Sequence, residues 1–119
     1  MNKFLLASGV TLLSLVGGLG TAHAVNISTA EMVTICRDTN NAAAQNFCNG
    51  YAQGVYDMYV SDIHPTENPA YICFPNPGPS RADAIKGYVN WAAKATEYSR
   101  LPAADTMMRY LATTYPCKK

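Results

Sequence analysis

Four cysteines, Cys36, Cys48, Cys73 and Cys117, lie downstream of an N-terminal export signal in a chain of 119 residues. No other feature limits the fold as much. In a small exported domain an even cysteine count reads as a disulfide framework, here two bridges among three connectivities. Residues 1–24 carry the signal: Lys3 gives the positive start, Phe4 to Leu19 is apolar and uncharged, and Ala22-His23-Ala24 is an A-x-A cleavage site. The mature protein is expected to begin at Val25 and to reside in an oxidising periplasm. The apolar stretch is shorter than the ~20 residues that span a bilayer, and nothing comparable follows it. No membrane association is therefore expected after cleavage.

The cysteines stand 12, 25 and 44 residues apart with no C-x-x-C pair, a spacing that matches no usual zinc ligand set. On one continuous helix Cys36 and Cys48 would be roughly 18 Å apart, far beyond disulfide reach. The turn-type cluster Asp38-Thr39-Asn40-Asn41 can instead fold a first helix back on a second and bring the two sulfurs together. Cys73 precedes one predicted helix and Cys117 follows the next, and antiparallel helices place those ends side by side. The expected pairs are Cys36–Cys48 and Cys73–Cys117.

Capping and periodicity predict an all-α fold, a small bundle of about four helices. Ser28-Thr29-Ala30-Glu31 is a capping box that opens a short helix carrying Met32, Ile35 and Cys36 and stopping near Asp38. A second helix is expected from after Asn41 to about Ser61, with Phe47, Tyr51, Val55, Met58 and Tyr59 as its apolar stripe. Gly50 and Gly54, one turn apart, each weaken it by about 1 kcal/mol relative to alanine, which is most simply explained by a helix packed close against them. Ser80-Arg81-Ala82-Asp83 opens a third helix to about Glu97 with Ile85, Tyr88, Val89 and Ala92 inward. The fourth follows Pro102, carries Ala104, Met107, Met108, Leu111 and Tyr115, and ends at Pro116. Between the second and third helices, residues 63–79 hold five of the seven prolines and must form a long, stiffened loop.

Little in the mature part is equipped for catalysis. His64 is its one histidine, and disulfides remove the thiols from nucleophilic duty. Ser61, Asp62 and His64 are triad letters crowded into one short segment, a spacing that does not supply triad geometry. Nucleotide, metal and esterase motifs are absent from the sequence, so neither catalytic residues nor a cofactor are expected. Taking Lys3 away with the signal leaves eight basic against eight acidic residues, too balanced for a nucleic-acid footprint. All eight tyrosines and Trp91 lie in the mature part, and Tyr71 and Tyr98, near loops, are the better interface candidates.

Cys48-Asn49-Gly50-Tyr51-Ala52-Gln53-Gly54-Val55-Tyr56-Asp57, Cys73-Phe74-Pro75, Pro102-Ala103-Ala104 and Tyr115-Pro116-Cys117 resemble, in order and spacing, the Rap/Tai family of type VI secretion immunity proteins. The resemblance covers residues 25–119, nearly the whole mature chain. It departs from the usual pattern at Thr96, where a proline commonly closes the third helix, and in the many prolines between Cys73 and Ser80. The resemblance implies a helical periplasmic protein, often a homodimer, that binds and blocks a peptidoglycan-cleaving amidase effector. From the loop's character, His64, Glu67, Asn68 and Tyr71 are the expected partner-binding residues, acting sterically. The motif residues Gly50, Tyr51, Gly54 and Asp57 are expected to maintain helix packing and loop anchoring. An acid-stress chaperone of the HdeA type, also small, helical and disulfide-bonded, is the alternative; a hydrolase built on Asp57, Asp62 and His64 ranks last.

Overall fold

The computed structural model of the chain describes residues 25–63 and 68–118, so the expected export signal and the segment His64 to Glu67 lie outside the described residues. Four helices follow in order: α1, Thr29–Arg37; α2, Ala42–Ile63; α3, Arg81–Lys94; and α4, Ala103–Thr114. A 3₁₀ turn, Thr96–Tyr98, lies between α3 and α4. Isolated antiparallel bridges join Ser28 to Pro102 and Ile72 to Pro116. Among the described residues no helix is long and apolar enough to cross a membrane.

The helix ends follow side-chain chemistry. At α1 the box is complete: the Ser28 hydroxyl accepts from the Glu31 N–H, and the Glu31 carboxylate accepts from the Ser28 N–H at 2.9 Å. These bonds hold the Glu31 carboxyl below its ordinary range. At α3 only half of the box forms. The Ser80 hydroxyl accepts from the Asp83 N–H, but Asp83, one methylene shorter than glutamate, takes the Ser80 hydroxyl rather than its N–H. Asn41 accepts from the Ala44 N–H to start α2, while the Gln45 amide donates to the carbonyls of Cys36 and Asp38 and closes α1. The turn between them brings the Cys36 and Cys48 Cα atoms to 5.3 Å, and the bridge forms as expected. Cys73 and Cys117 make the other.

Two boundaries and one face differ from expectation. α3 stops at Lys94 rather than near Glu97, because Ala95 leaves helical geometry and the chain tightens at Thr96 into the 3₁₀ turn. Tyr98 then stacks on Trp91, with ring centroids 5.7 Å apart, under the Arg109 guanidinium. Tyr98 is thus engaged within the bundle. On α2, Tyr59 and Cys48 are buried and Tyr51 and Val55 pack at the core edge, but Phe47 and Met58 are 45% and 71% exposed. The disulfide explains the split: it pins Cys48 inward, and a step of about 100° per residue turns Phe47 and Met58 outward.

The core comprises Met32, Val33 and Cys36 of α1, Cys48 of α2, Tyr88, Val89 and Ala92 of α3, and Ala103, Met107 and Tyr110 of α4. A polar chain runs through it. The Thr29 and Thr106 hydroxyls, both fully buried, stand 2.8 Å apart; Tyr88 reaches Thr106 at 3.0 Å; and Thr29 donates to the Leu101 carbonyl at 2.9 Å. Thr106 also reaches the Ala103 carbonyl of its own helix at 3.1 Å, so its one proton is shared between that oxygen and Thr29, while Tyr88 donates to Thr106 and Thr29 to Leu101. Burial raises the Tyr88 phenol above its ordinary value, so it enters this chain neutral. Three backbone bonds beside it, Thr29 N–H to Leu101, Ala30 N–H to Ser99 and Ala103 N–H to Ile27, fasten the start of α1 to the α3–α4 connection.

Candidate functional site

The described part of the proline-rich loop, Asn68 to Ser80, is fixed in the middle by two anchors. Tyr59 of α2, itself buried, offers its hydroxyl to the N–H groups of Tyr71 and Ile72 at 3.1 and 3.0 Å. The Tyr71 ring meets the Tyr59 ring edge-on with centroids 4.8 Å apart. The second anchor is the chain's end: the Cys73 N–H donates to the Tyr115 carbonyl at 2.8 Å beside the disulfide to Cys117. Phe74 lies between the rings of Tyr56 and Tyr115. Residues 71–74 therefore form a strap held to α2 on one side and to the C-terminal segment on the other. Prolines 75, 77 and 79 then carry the chain to α3 with little backbone freedom.

Of the expected partner-binding residues, His64 and Glu67 fall outside the described residues. Asn68 is exposed and donates its amide to the Asp62 carbonyl at the end of α2. Tyr71 is 46% exposed. Partial burial, with Tyr59 and Asp62 nearby, raises its phenol above the ordinary value, so it presents a neutral hydroxyl. Both stand where α2 gives way to the loop. Of the triad letters, His64 lies outside the described residues, the Ser61 hydroxyl donates to the Asp57 carbonyl of its own helix, and Asp62 is exposed.

The motif residues divide. Tyr51 packs against the core and stacks on Phe47. Asp57 is exposed and accepts from Gln53 one turn earlier. Gly50 and Gly54 face outward, and a Cβ at either would meet no described atom within 4 Å. This corrects the expectation of a helix packed close against them: α1, α3 and α4 all lie on the opposite side of α2, where Cys48 and Tyr59 point. Phe47, Gly50, Gly54 and Met58 instead make an uncharged exposed stripe.

Sequence reasoning did not find the groove between α2, α3, α4 and the strap, which encloses about 240 Å³. Val55, Tyr56, Phe74, Ile85 and Leu111 contribute its apolar walls, and Arg81 stands at its edge. Tyr110, which lines it, lies against Gly87 of α3, where a Cβ would overlap the Tyr110 hydroxyl. Gly87→Ala is therefore expected to cost about 1–3 kcal/mol by overpacking, although alanine is the better helix former by about 1 kcal/mol. Chemical denaturation checks the sign; a gain in stability would show that Tyr110 moves aside freely.

No curated protein and no solved structure matches the chain. The family profile of Rap1a immunity proteins matches residues 28–117, from the cap of α1 to the last cysteine. The match takes in all four helices, the strap and both disulfides, and the chain belongs to the Rap1a immunity protein family.

Proposed function

We propose that the protein is a periplasmic immunity protein that binds a type VI-secreted peptidoglycan amidase and blocks its cleft with the loop following α2. Family membership implies a non-enzymatic role exercised by binding a cognate effector. The observation that carries the loop assignment is the double anchoring of residues 71–74 by Tyr59 and by the Cys73–Cys117 bridge. A segment already held in one shape loses less conformational entropy on binding, so more of its contact energy appears as affinity. Tyr71 supplies an exposed aromatic ring of the kind that dominates interfaces, and Asn68 is exposed three residues before it; His64 and Glu67 precede them in the sequence of the same loop. Replacing Glu67 and Tyr71 together by alanine is expected to weaken binding to the inhibited amidase by roughly thirtyfold, about 2 kcal/mol. Titration calorimetry measures this, and circular dichroism should show unchanged helix content. Unchanged affinity would move the inhibitory surface elsewhere, to the Ser99–Leu101 turn.

The exposed stripe of α2 favours a homodimer. Phe47, Gly50, Gly54 and Met58 span roughly 16 Å of helix with Asp57 at the border of the stripe, and two glycines let a second backbone approach closely. Asp57 and Asp62, the two charged residues of α2, sit in its C-terminal half, so an antiparallel pair of α2 helices around a two-fold axis keeps the two acidic ends apart. Gly54→Glu is expected to convert the dimer to a monomer in sedimentation equilibrium, since the new side chain meets no atom of its own subunit. A wild-type protein that sediments as a monomer at 100-fold excess over its working concentration would end this part of the reading.

A further inference from the structure

The groove between α2, α3, α4 and the strap has a polarity that the inhibitory loop does not use. Its walls are apolar side chains from four parts of the chain, and no carboxylate lines it among the described residues. One cation stands at its edge: Arg81, the first residue of α3, which has no ion pair among the described residues. The neighbouring acid, Asp83, accepts from the Ser80 hydroxyl and does not line the groove. Ser80, Arg81 and Ala84 bring the start of α3 to that same edge, so its first N–H groups add to the positive end. The result is an apolar trough with one end suited to an anion.

We infer that this groove binds a small amphiphile with a short unbranched apolar body and a terminal carboxylate, its chain lying between Val55, Tyr56, Phe74, Ile85 and Leu111 and its carboxylate at Arg81. Size selects the class. The groove's 240 Å³ falls below the roughly 300–1,000 Å³ typical of drug-sized ligands, which favours one short chain over a larger body. A medium-chain alkanoate fits that limit, whereas a fused-ring or two-tailed lipid does not. Concave, mostly apolar walls with a few polar groups, here Gln53 and Arg81 among them, are the form of a small-molecule site; flat surfaces with a polar rim are the form of a protein interface. Binding involves no covalent step. Because Phe74 and Tyr56 belong both to the groove and to the aromatic row under the strap, occupancy would also stiffen the loop.

The test uses the oxidised Val25–Lys119 protein and octanoate as probe, followed by two-dimensional NMR, with octan-1-ol and octylamine as controls. Saturable shifts at Val55, Phe74, Ile85 and Leu111, an order octanoate over octanol over octylamine, and roughly tenfold weaker octanoate binding in Arg81→Gln with octanol unaffected would bear the inference out. Ala84→Phe, which fills the groove from its half-buried edge, should abolish the shifts while circular dichroism stays unchanged. Equal binding of octanoate and octanol would overturn it and assign the groove to an uncharged group, such as a side chain of a protein partner. Shifts spread over the surface, or unaltered in Arg81→Gln, would overturn it as well. Effector inhibition that persists when Arg81 is replaced leaves the immunity reading intact, so the two can fail separately.

Discussion

Replacing Cys73 and Cys117 together by serine is expected to lower the free energy of unfolding by about 4 kcal/mol, the largest effect of any conservative change in the molecule. The bridge joins residues 44 apart in sequence and closes a segment containing α3, α4 and the second half of the strap. In the chain-entropy account its loss releases that whole loop in the unfolded state. The Cys36–Cys48 bridge closes only 12 residues and is expected to contribute about 3 kcal/mol by the same account. A domain of this size holds about 5–15 kcal/mol in total, so the double serine variant is expected to stand near the edge of folding. The Ile72–Pro116 bridge and the Cys73 N–H bond to Tyr115 would remain but lose their covalent tie. Urea unfolding of the oxidised wild type and the variant measures the difference. A loss below about 1 kcal/mol would mean that the unfolded chain is already confined without the bridge.

Thr106→Val comes second, with an expected cost of about 2–3 kcal/mol, at the upper end of the range for leaving a buried polar group unpaired. Valine matches the shape of threonine, so packing is retained and the hydroxyl alone is lost. Tyr88 and Thr29, both buried, then each lose a partner. Removing the other polar groups as well should recover part of the loss: the triple change of Thr29→Val, Tyr88→Phe and Thr106→Val is expected to cost less than the sum of the three alone. That non-additivity, read from denaturation midpoints, separates a connected chain of hydrogen bonds from three independent ones. Strict additivity would contradict the connected reading.

What the sequence made legible and what it hid divide along a physical line. Helix starts at Ser28 and Ser80 were readable because a cap is written in residues three apart. Both disulfides followed from where helices must end and which ends then lie together. The orientation of α2 was not readable, since Phe47, Tyr51, Val55, Met58 and Tyr59 form one plausible apolar stripe and only the Cys36–Cys48 bridge decides which part of it turns inward. The buried chain from Tyr88 to Leu101 joins residues up to 77 positions apart, and Thr29 on its own looks like a second letter of a capping box. The groove is a product of four segments meeting, with no local signature in any of them. Of the expected loop residues, Asn68 bonds to Asp62 and Tyr71 packs on Tyr59, both of α2; proline spacing marked the loop in the sequence, and no motif marked residues within it.

The central claim is inhibition of an effector, and the most direct measurement is a stoichiometric one. The mature, oxidised Val25–Lys119 protein is used to capture partners from periplasmic extracts of type VI-competent bacteria, any amidase recovered is identified by mass spectrometry, and its peptidoglycan cleavage is titrated with the protein. The account predicts that cleavage falls linearly to zero at one protein chain per amidase. Recovery of many unrelated proteins in amounts that rise as the pH falls, with no amidase inhibited, would contradict it and identify an acid-stress chaperone instead.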